Sequence, residues 1–119
     1  LKTYSPTGGL GYGTGAGGTV TQATSRTTGV TLSKVTGQIT TTADSLAALT
    51  AATFTVTNTT VAATDTIQLS KVSGDIDTDV SVSAVAAGSF DITLRNTHAV
   101  NADTTAAVIN FAVIKAVTS

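Results

Sequence analysis

Residues 79–96 constrain the fold more than any other part of this chain. Apolar residues alternate there with small polar ones on both sides of a short linker, as Val80, Val82 and Ala84 before it and Phe90, Ile92 and Leu94 after it. A period of two places each apolar set on one face of a β-strand. The linker, residues 86–89, contains Gly88, which adopts positive φ without strain. The pattern therefore predicts a β-hairpin, which we expect at the centre of an antiparallel sheet.

The composition favours strands along the rest of the chain. Threonine occurs 27 times among 119 residues, and all seven acidic residues are Asp. Threonine and valine suit a pleated strand, and the absence of Glu and Met removes two good helix formers. A chain of this length has room for one domain with one core.

Further short runs predict the remaining elements. We expect strands at residues 19–24, 29–32, 37–42, 53–58 and 64–70, with Phe54, Val56 and Ile67 facing inward. Residues 42–49 predict one short helix, because Leu46 and Leu49 lie three apart and Thr42 or Asp44 could cap it. The expected fold is all-β: an antiparallel β-sandwich or a jelly-roll-like barrel of seven or eight strands with one short helix.

Residues 1–18 differ from this β domain, which we place at residues 19–119. They hold seven of the eleven glycines, the single Pro and both tyrosines, Tyr4 and Tyr12. Such a segment buries too little apolar surface to fold alone. It is either a simple lead-in to the domain or an arm that orders on a partner, with Tyr4 and Tyr12 as anchors.

The last predicted strand, residues 107–117, is apolar on both faces. Ile109, Phe111 and Val113 fall on one face, and Val108, Ala112 and Ile114 on the other. Such a strand is either covered on both sides within the domain or buried against another subunit. We expect the second, so Val108, Ala112 and Ile114 join the two tyrosines as predicted partner-binding residues.

One phrase occurs twice, as LSKVTGQIT at residues 32–40 and LSKVSGDID at residues 69–77. Since the repeat extends no further, it predicts two strand pairs that meet at the same Lys-Val-x-Gly turn rather than an array. Similar turn chemistry explains it at least as well as duplication.

Charge and chemistry exclude several classes of function. The net charge of −1 and the 11% charged fraction give no basis for binding nucleic acid or an anionic membrane. No apolar run approaches the ~20 residues that span a bilayer. Without cysteine, the chain has neither disulfides nor thiolate metal ligands. We expect no cofactor.

Four local motifs have ordinary structural explanations. Residues 13–18 match G-x-G-x-x-G, but a Pro-Gly segment precedes them and a Thr-rich strand follows, so the dinucleotide fingerprint is rejected. Asp75, Asp77 and Asp79 alternate and could bind a hard cation, although a solvated loop is the default. His98 lies in a polar connection with no nucleophile elbow nearby. Asn58 begins a formal glycosylation acceptor, Asn-Thr-Thr. The sequence therefore predicts no enzyme.

Several phrases together resemble small structural proteins of tailed bacteriophages. They are residues 11–22, 25–34, 36–40, 85–96 and 108–115, which extend over nearly the whole chain. The resemblance implies a β-rich, often trimeric virion component. It implies a capsid decoration (cement) protein on the capsid surface, with the major capsid protein and its own copies as partners. A head- or tail-fibre domain that binds a host receptor or glycan is the alternative.

Overall fold

Eight strands form two four-stranded sheets in a computed structural model, which describes residues 10–119. The strands are β1 (Thr19–Thr21), β2 (Val30–Thr31), β3 (Thr36–Thr40), β4 (Ala51–Thr57), β5 (Thr66–Ser73), β6 (Thr78–Ala86), β7 (Ser89–Asn96) and β8 (Val108–Ile114). Sheet A has the order β1-β3-β8-β5, and sheet B has the order β2-β4-β7-β6. The all-β prediction is confirmed, and the two packed sheets agree with a sandwich.

Both sheets are mixed rather than purely antiparallel. Strand β1 pairs with β3 in parallel, and β2 pairs with β4 in parallel. The other pairings are antiparallel. The first five strands alternate between the sheets, and β1 meets β3 while β2 meets β4. A chain that crosses to the opposite sheet and returns runs in its original direction, which explains the two parallel pairs.

The predicted hairpin exists but lies at one side of sheet B. Strands β6 and β7 pair from Thr78–Asn96 to Ala86–Ser89, and Gly88 has a φ of 83° in the turn. Strand β7 is central, whereas β6 is at the edge. A register shift between Val82 and Ala84 moves the inward position from Ala84 to Val85. Bulges of this kind are common at sheet edges because they disturb pairing with another strand.

The core lies between the sheets and is built from alternate residues. Phe54 and Phe90 come from sheet B and Phe111 from sheet A, and all three are buried. The rings of Phe90 and Phe111 have centroids 5.5 Å apart and an interplanar angle of 56°. Such a tilted aromatic contact joins the two sheets. Val56 and Ile67 also face inward, as predicted.

The predicted helix at residues 42–49 is wrong: this segment is a loop with one isolated bridge. The backbone N–H and C=O of Leu46 both pair with Asp103, and Leu46 is buried. Leu49, expected on the same helix face, is 64% exposed and has a φ of 58°. The bonds to Asp103 hold Leu46 in an extended pairing, which a helix would not allow.

The repeated phrase adopts two different structures. At residues 32–40 the loop comes first, and Gly37 lies inside β3. At residues 69–77 the strand comes first, and Gly74 leaves β5 with a φ of 137°. The expectation of a shared turn is therefore wrong at the first copy. Tertiary pairing, rather than the local phrase, decides where each strand begins.

Candidate partner-binding groove

An apolar groove lies on the outer face of sheet A, between β8 and the chain that leads into β1. Its volume is about 600 Å³, and its walls are Leu10, Gly11, Tyr12, Val35, Thr36, Ala112, Ile114 and Lys115. Strand β8 is central in sheet A, so its outward residues form the floor of this surface. The groove is therefore an open apolar site on a face of the sheet that contacts solvent.

Tyr12 fastens the glycine-rich segment to the sheet. Its hydroxyl donates a hydrogen bond to the carbonyl oxygen of Val113, and the side chain is half-buried. Gly18 continues this attachment, because its carbonyl accepts a hydrogen bond of 3.0 Å from the Gln38 N–H. Tyr12, predicted as an anchor for a partner, thus contacts its own domain and forms one wall of the groove.

Two of the three predicted residues on β8 lie at the groove and one does not. Ala112 is half-buried and Ile114 is 50% exposed, and both line the groove. Val108 faces outward too, but it begins the strand and lies beside Thr40 and Ser73. Between them, Asn110 accepts a hydrogen bond of 2.9 Å from Gln38. Asn110 therefore separates Val108 from the apolar pair Ala112 and Ile114 on the outward face of β8.

Leu10 and Val35 also line the groove although neither was predicted as a contact residue, and Tyr4, which was predicted as one, lies outside the residues that the structure describes. Leu10 is 83% exposed at the rim of the groove. The sequence does hold one signal for Leu10, since it is an isolated large aliphatic residue in a run of glycines. Val35 accepts a hydrogen bond of 2.7 Å from the Val113 N–H, which joins the β2–β3 loop to β8. That pairing is set by tertiary structure and has no local signal.

An ion pair closes the end of the groove. The Lys115 ammonium lies 2.6 Å from Asp65 Oδ2 and also donates to the Thr60 carbonyl. The Ala62 N–H donates to the same carboxylate at 2.8 Å. The Ala62 N–H and then Lys115 hold the pKa of Asp65 below its ordinary value. Lys115 is thus committed to its own domain, and the groove offers apolar surface rather than free charge.

Two of the three alternating aspartates, Asp75 and Asp77, lie in a loop that its own hydrogen bonds hold together, and Asp79 lies in β6. The Asp77 N–H donates to Asp75 Oδ1 at 2.9 Å, and the Lys71 ammonium donates to the Asp75 and Thr78 carbonyls. Within residues 10–119, no group of three or more His, Cys, Asp or Glu side chains is placed to hold a metal ion. The cation site therefore gains no geometric support from this part of the chain.

His98 acts as a turn acceptor. Its Nδ1 accepts hydrogen bonds from the Val100 N–H at 3.0 Å and the Asn101 N–H at 2.8 Å. In a neutral ring that accepts at Nδ1, the proton lies on Nε2, so neither nitrogen offers a free lone pair to a nucleophile. The arrangement explains why a histidine stands here without invoking catalysis.

Asn58 and the glycine run also have structural roles. Asn58 is 0% exposed, and its amide donates to the Lys34 carbonyl at 2.7 Å. In the folded chain this side chain therefore lies inside the domain and is closed to a glycan. Residues 13–16 form a turn in which Gly15 has a φ of 96°, and strand β1 follows. Without a helix after the glycines, a pyrophosphate has no helix N-terminus to bind.

No helix in the part of the chain that the structure describes is long and apolar enough to cross a membrane. Comparisons with protein-family models, with curated proteins and with solved structures find no match for this chain.

Proposed function

We propose that this chain is a virion structural protein of a tailed bacteriophage. In this proposal it is a capsid decoration (cement) protein on the capsid surface that binds the major capsid protein and stabilises the head shell. It acts as a homotrimer and has neither an enzymatic activity nor a nucleic-acid or membrane partner. A jelly-roll-like closure of the two sheets belongs to the same proposal and stays a prediction from the sequence.

The observation that supports the proposal most is the groove beside β8. An exposed Ile114, an exposed Leu10 and a half-buried Tyr12 line one open apolar surface. Exposed apolar surface that forms a defined hollow is typical of a protein contact. The polar groups described above instead bond to groups of their own domain, where they hold loops together. A domain of this kind serves as a part of an assembly.

Many copies on a symmetric shell make a small contact sufficient. A groove of this size buries less surface than the ~800 Å² per partner of a standard stable interface. When one copy is held by several contacts at once, the affinities combine. Weak individual contacts at the groove therefore agree with a role in reinforcing a shell.

Co-sedimentation with head shells of the phage that encodes the chain tests this proposal. The wild-type chain is expected to pellet with the shells, and Ile114→Lys is expected to remain in the supernatant because it puts a charge into the groove. Thr57→Lys is the matched control, since Thr57 is exposed on sheet B, away from the groove. A wild-type chain that stays in the supernatant while the shells pellet would contradict the proposal.

The fibre-domain alternative has its own surface in the outer face of sheet B. The Thr53 and Thr93 hydroxyls are bonded at 2.8 Å, and Thr93 donates to Ser83 at 2.9 Å. Thr55 donates to Asp91 at 2.8 Å on the same face. A row of hydroxyls is a polar surface on which a glycan could be hydrogen-bonded. Binding to a glycan array that Thr93→Val abolishes and Ile114→Lys preserves would favour this alternative.

A further inference from the structure

We propose that the chain contacts the shell through the loops at one end of the sandwich, and that this end fits a protein surface with an apolar hollow and basic residues around it. Three loops meet there, and each exposes one large aliphatic residue, Leu49, Ile76 or Val100. We refer to these three residues as the loop-end patch. The inference rests on the proposed function, because it identifies the part of the chain that meets the partner.

Asn96 and Thr97 hold the three loops side by side. The backbone N–H of the buried Asn96 donates to the Thr50 carbonyl at 2.9 Å, and its side-chain amide donates to the Asn101 carbonyl at 2.9 Å. The Thr97 N–H donates to the Asp77 carbonyl at 2.8 Å. Each of these three acceptors is next in sequence to a member of the loop-end patch. The patch residues therefore share one end of the domain and are held there by the backbone.

The exposure of the loop-end patch indicates a contact with another molecule. Ile76 is 90% exposed and Val100 is 79% exposed, and most of the Leu49 side chain also meets solvent. A single exposed aliphatic residue is ordinary on a protein surface. Three of them on adjacent loops form an apolar surface, which is typical of a site that a partner covers.

The backbone of Leu49 supports the same interpretation. Its φ of 58° lies in the left-handed region, which a bulky residue rarely adopts and which Gly or Asn adopts more readily. Because the side chain is exposed, packing inside the domain does not explain a leucine at this position. Backbone strain that the fold itself does not require is typical of a binding residue.

The charges near the loop-end patch determine the class of partner. Among the described residues, the charged side chains at this end, outside the internal pair of Arg26 and Asp103, are Asp44, Asp75, Asp77, Asp79, Lys71 and Arg95. Four carboxylates and two cations give this end a net charge of −2, whereas the whole chain has −1. A protein surface with Lys or Arg around an apolar hollow is complementary to both features. A membrane is not, because lipid phosphates repel the carboxylates.

The loop-end patch and the groove lie at opposite ends of β8. The Ala107 carbonyl, just before β8, accepts from the Thr41 N–H at 2.8 Å, whereas Ile114 at the other end of the strand lines the groove. A strand of seven residues separates the two sites by roughly 20 Å. A contact between copies at the groove therefore leaves the patch uncovered. Rotation about one axis places the three patches of a trimer at the same height, so that one shell meets all three.

Co-sedimentation of Leu49→Asn with head shells of the phage that encodes the chain tests the inference. Asn removes the apolar side chain and tolerates the positive φ, so the urea midpoint should not fall below that of the wild type. The variant should keep the wild-type mass in light scattering, whereas the fraction that pellets with the shells should fall several-fold. Val117→Asn is the matched control, since Val117 is exposed outside the patch, and it should pellet like the wild type.

Ile76→Asn is the second variant and does not depend on the backbone of Leu49. Because Ile76 is almost fully exposed, its replacement should leave the urea midpoint and the mass unchanged and should also lower the pelleted fraction several-fold. Ile114→Lys, by contrast, is expected to lose both the trimer mass and the sedimentation. The two kinds of variant therefore separate the contact with the shell from the contact between copies.

A pair of variants with equal changes in net charge tests the basic partner. Asp77→Asn and Thr57→Lys each raise the net charge by one, but only Asp77 is next to a patch residue. Asp77→Asn should lower the pelleted fraction several-fold, because the change is present in all three copies, and Thr57→Lys should not. High salt should weaken wild-type sedimentation, since it screens opposite charges at a contact.

Three results would overturn the inference. The first is wild-type sedimentation by both Leu49→Asn and Ile76→Asn. The second is a loss of the trimer mass in either variant, because the patch would then lie between copies. The third is wild-type binding to phosphatidylcholine vesicles that Leu49→Asn abolishes, because the patch would then be a membrane contact.

Failure of this inference is distinguishable from failure of the proposed function. A wild-type chain that does not sediment with the shells would end the proposed function and this inference with it. Wild-type sedimentation that neither patch variant reduces would end this inference alone.

Discussion

Arg26 and Asp103 form an ion pair in the interior of the domain, 77 positions apart in sequence. Arg26 Nη2 lies 3.5 Å from Asp103 Oδ1, and the two side chains are 2% and 0% exposed. Arg26 also donates to the carbonyls of Asp44 and Thr105, at 2.6 Å and 3.1 Å. Thr78 donates to the other Asp103 oxygen at 2.6 Å. The pair therefore joins three loops at one end of the sandwich.

Replacing one member of this pair should destabilise the domain strongly. Arg26→Met leaves the Asp103 carboxylate buried without its cation, which typically costs about 3–5 kcal/mol. The free energy of unfolding in urea measures the loss. Arg95→Met is the matched control: Arg95 is exposed, and its loss should change stability by less than about 0.5 kcal/mol. Equal stability of the two variants would contradict the role given to the pair.

A side chain at Gly37 should destabilise the domain. An added Cβ would lie 2.7 Å from the Gly18 carbonyl oxygen, 2.8 Å from Leu32 Cδ2 and 3.1 Å from Phe111. Because the nearest atom belongs to the backbone, Gly37→Ala should cost about 1–3 kcal/mol through overpacking. Gly13→Ala is the control, since a Cβ there meets nothing within 4 Å. Urea midpoints compare the two, and a neutral Gly37→Ala would show that β1 and β3 are not packed this closely.

Acid should weaken the fold through two carboxyl groups. The Ala62 N–H and then Lys115 lower the pKa of Asp65 below 3.8, and the Thr42 hydroxyl lowers the pKa of Asp44. A pKa lower in the folded than in the unfolded state stabilises the fold above the unfolded value, about pH 4. This stabilisation is lost as pH falls through the folded value.

The urea midpoint measured from neutral pH down to pH ~2 checks this prediction. The urea midpoint of the wild type should decrease once the pH is below ~4. Asp65→Asn should start lower and fall less steeply, because its side chain no longer titrates. Identical slopes for the wild type and Asp65→Asn would show that the carboxylate is not stabilised by its partners.

His98→Ala should weaken one loop and leave assembly unchanged. The variant removes the acceptor of two backbone N–H groups, which should cost about 0.5–2 kcal/mol. Hydrogen exchange at Val100 and Asn101 should accelerate, while sedimentation with head shells stays at the wild-type level. Loss of a measurable hydrolytic activity in this variant, with exchange unchanged, would instead support a catalytic histidine.

The strands could be predicted from sequence because their residues alternate strictly. Phe54, Val56, Phe90, Ile92 and Leu94 all fall on the buried side as the period of two requires. The β6–β7 turn could be predicted because Gly88 permits the positive φ that the turn needs. These features depend on neighbours within a few residues.

The pairing of strands could not be predicted, because it depends on residues far apart in the chain. The β1–β3 and β2–β4 parallel pairs arise from crossings between sheets, which leave no local pattern. The structure around Leu46 could not be predicted either. The spacing of Leu46 and Leu49 resembles that of a helix, but the backbone of Leu46 pairs with the distant Asp103. One part of the groove could be predicted, because the alternation in β8 indicates its apolar outward residues. Val35 and Leu10 could not, because only the tertiary structure brings them next to β8.

The mass of the chain in solution, measured by light scattering across a range of concentrations, tests the central claim most directly. That claim is that the groove on sheet A is an interface between copies. We expect a mass three times the 11.8 kDa of one chain that is stable on dilution, and a single-chain mass for Ile114→Lys. A wild-type chain that stays at 11.8 kDa at every concentration would contradict the claim.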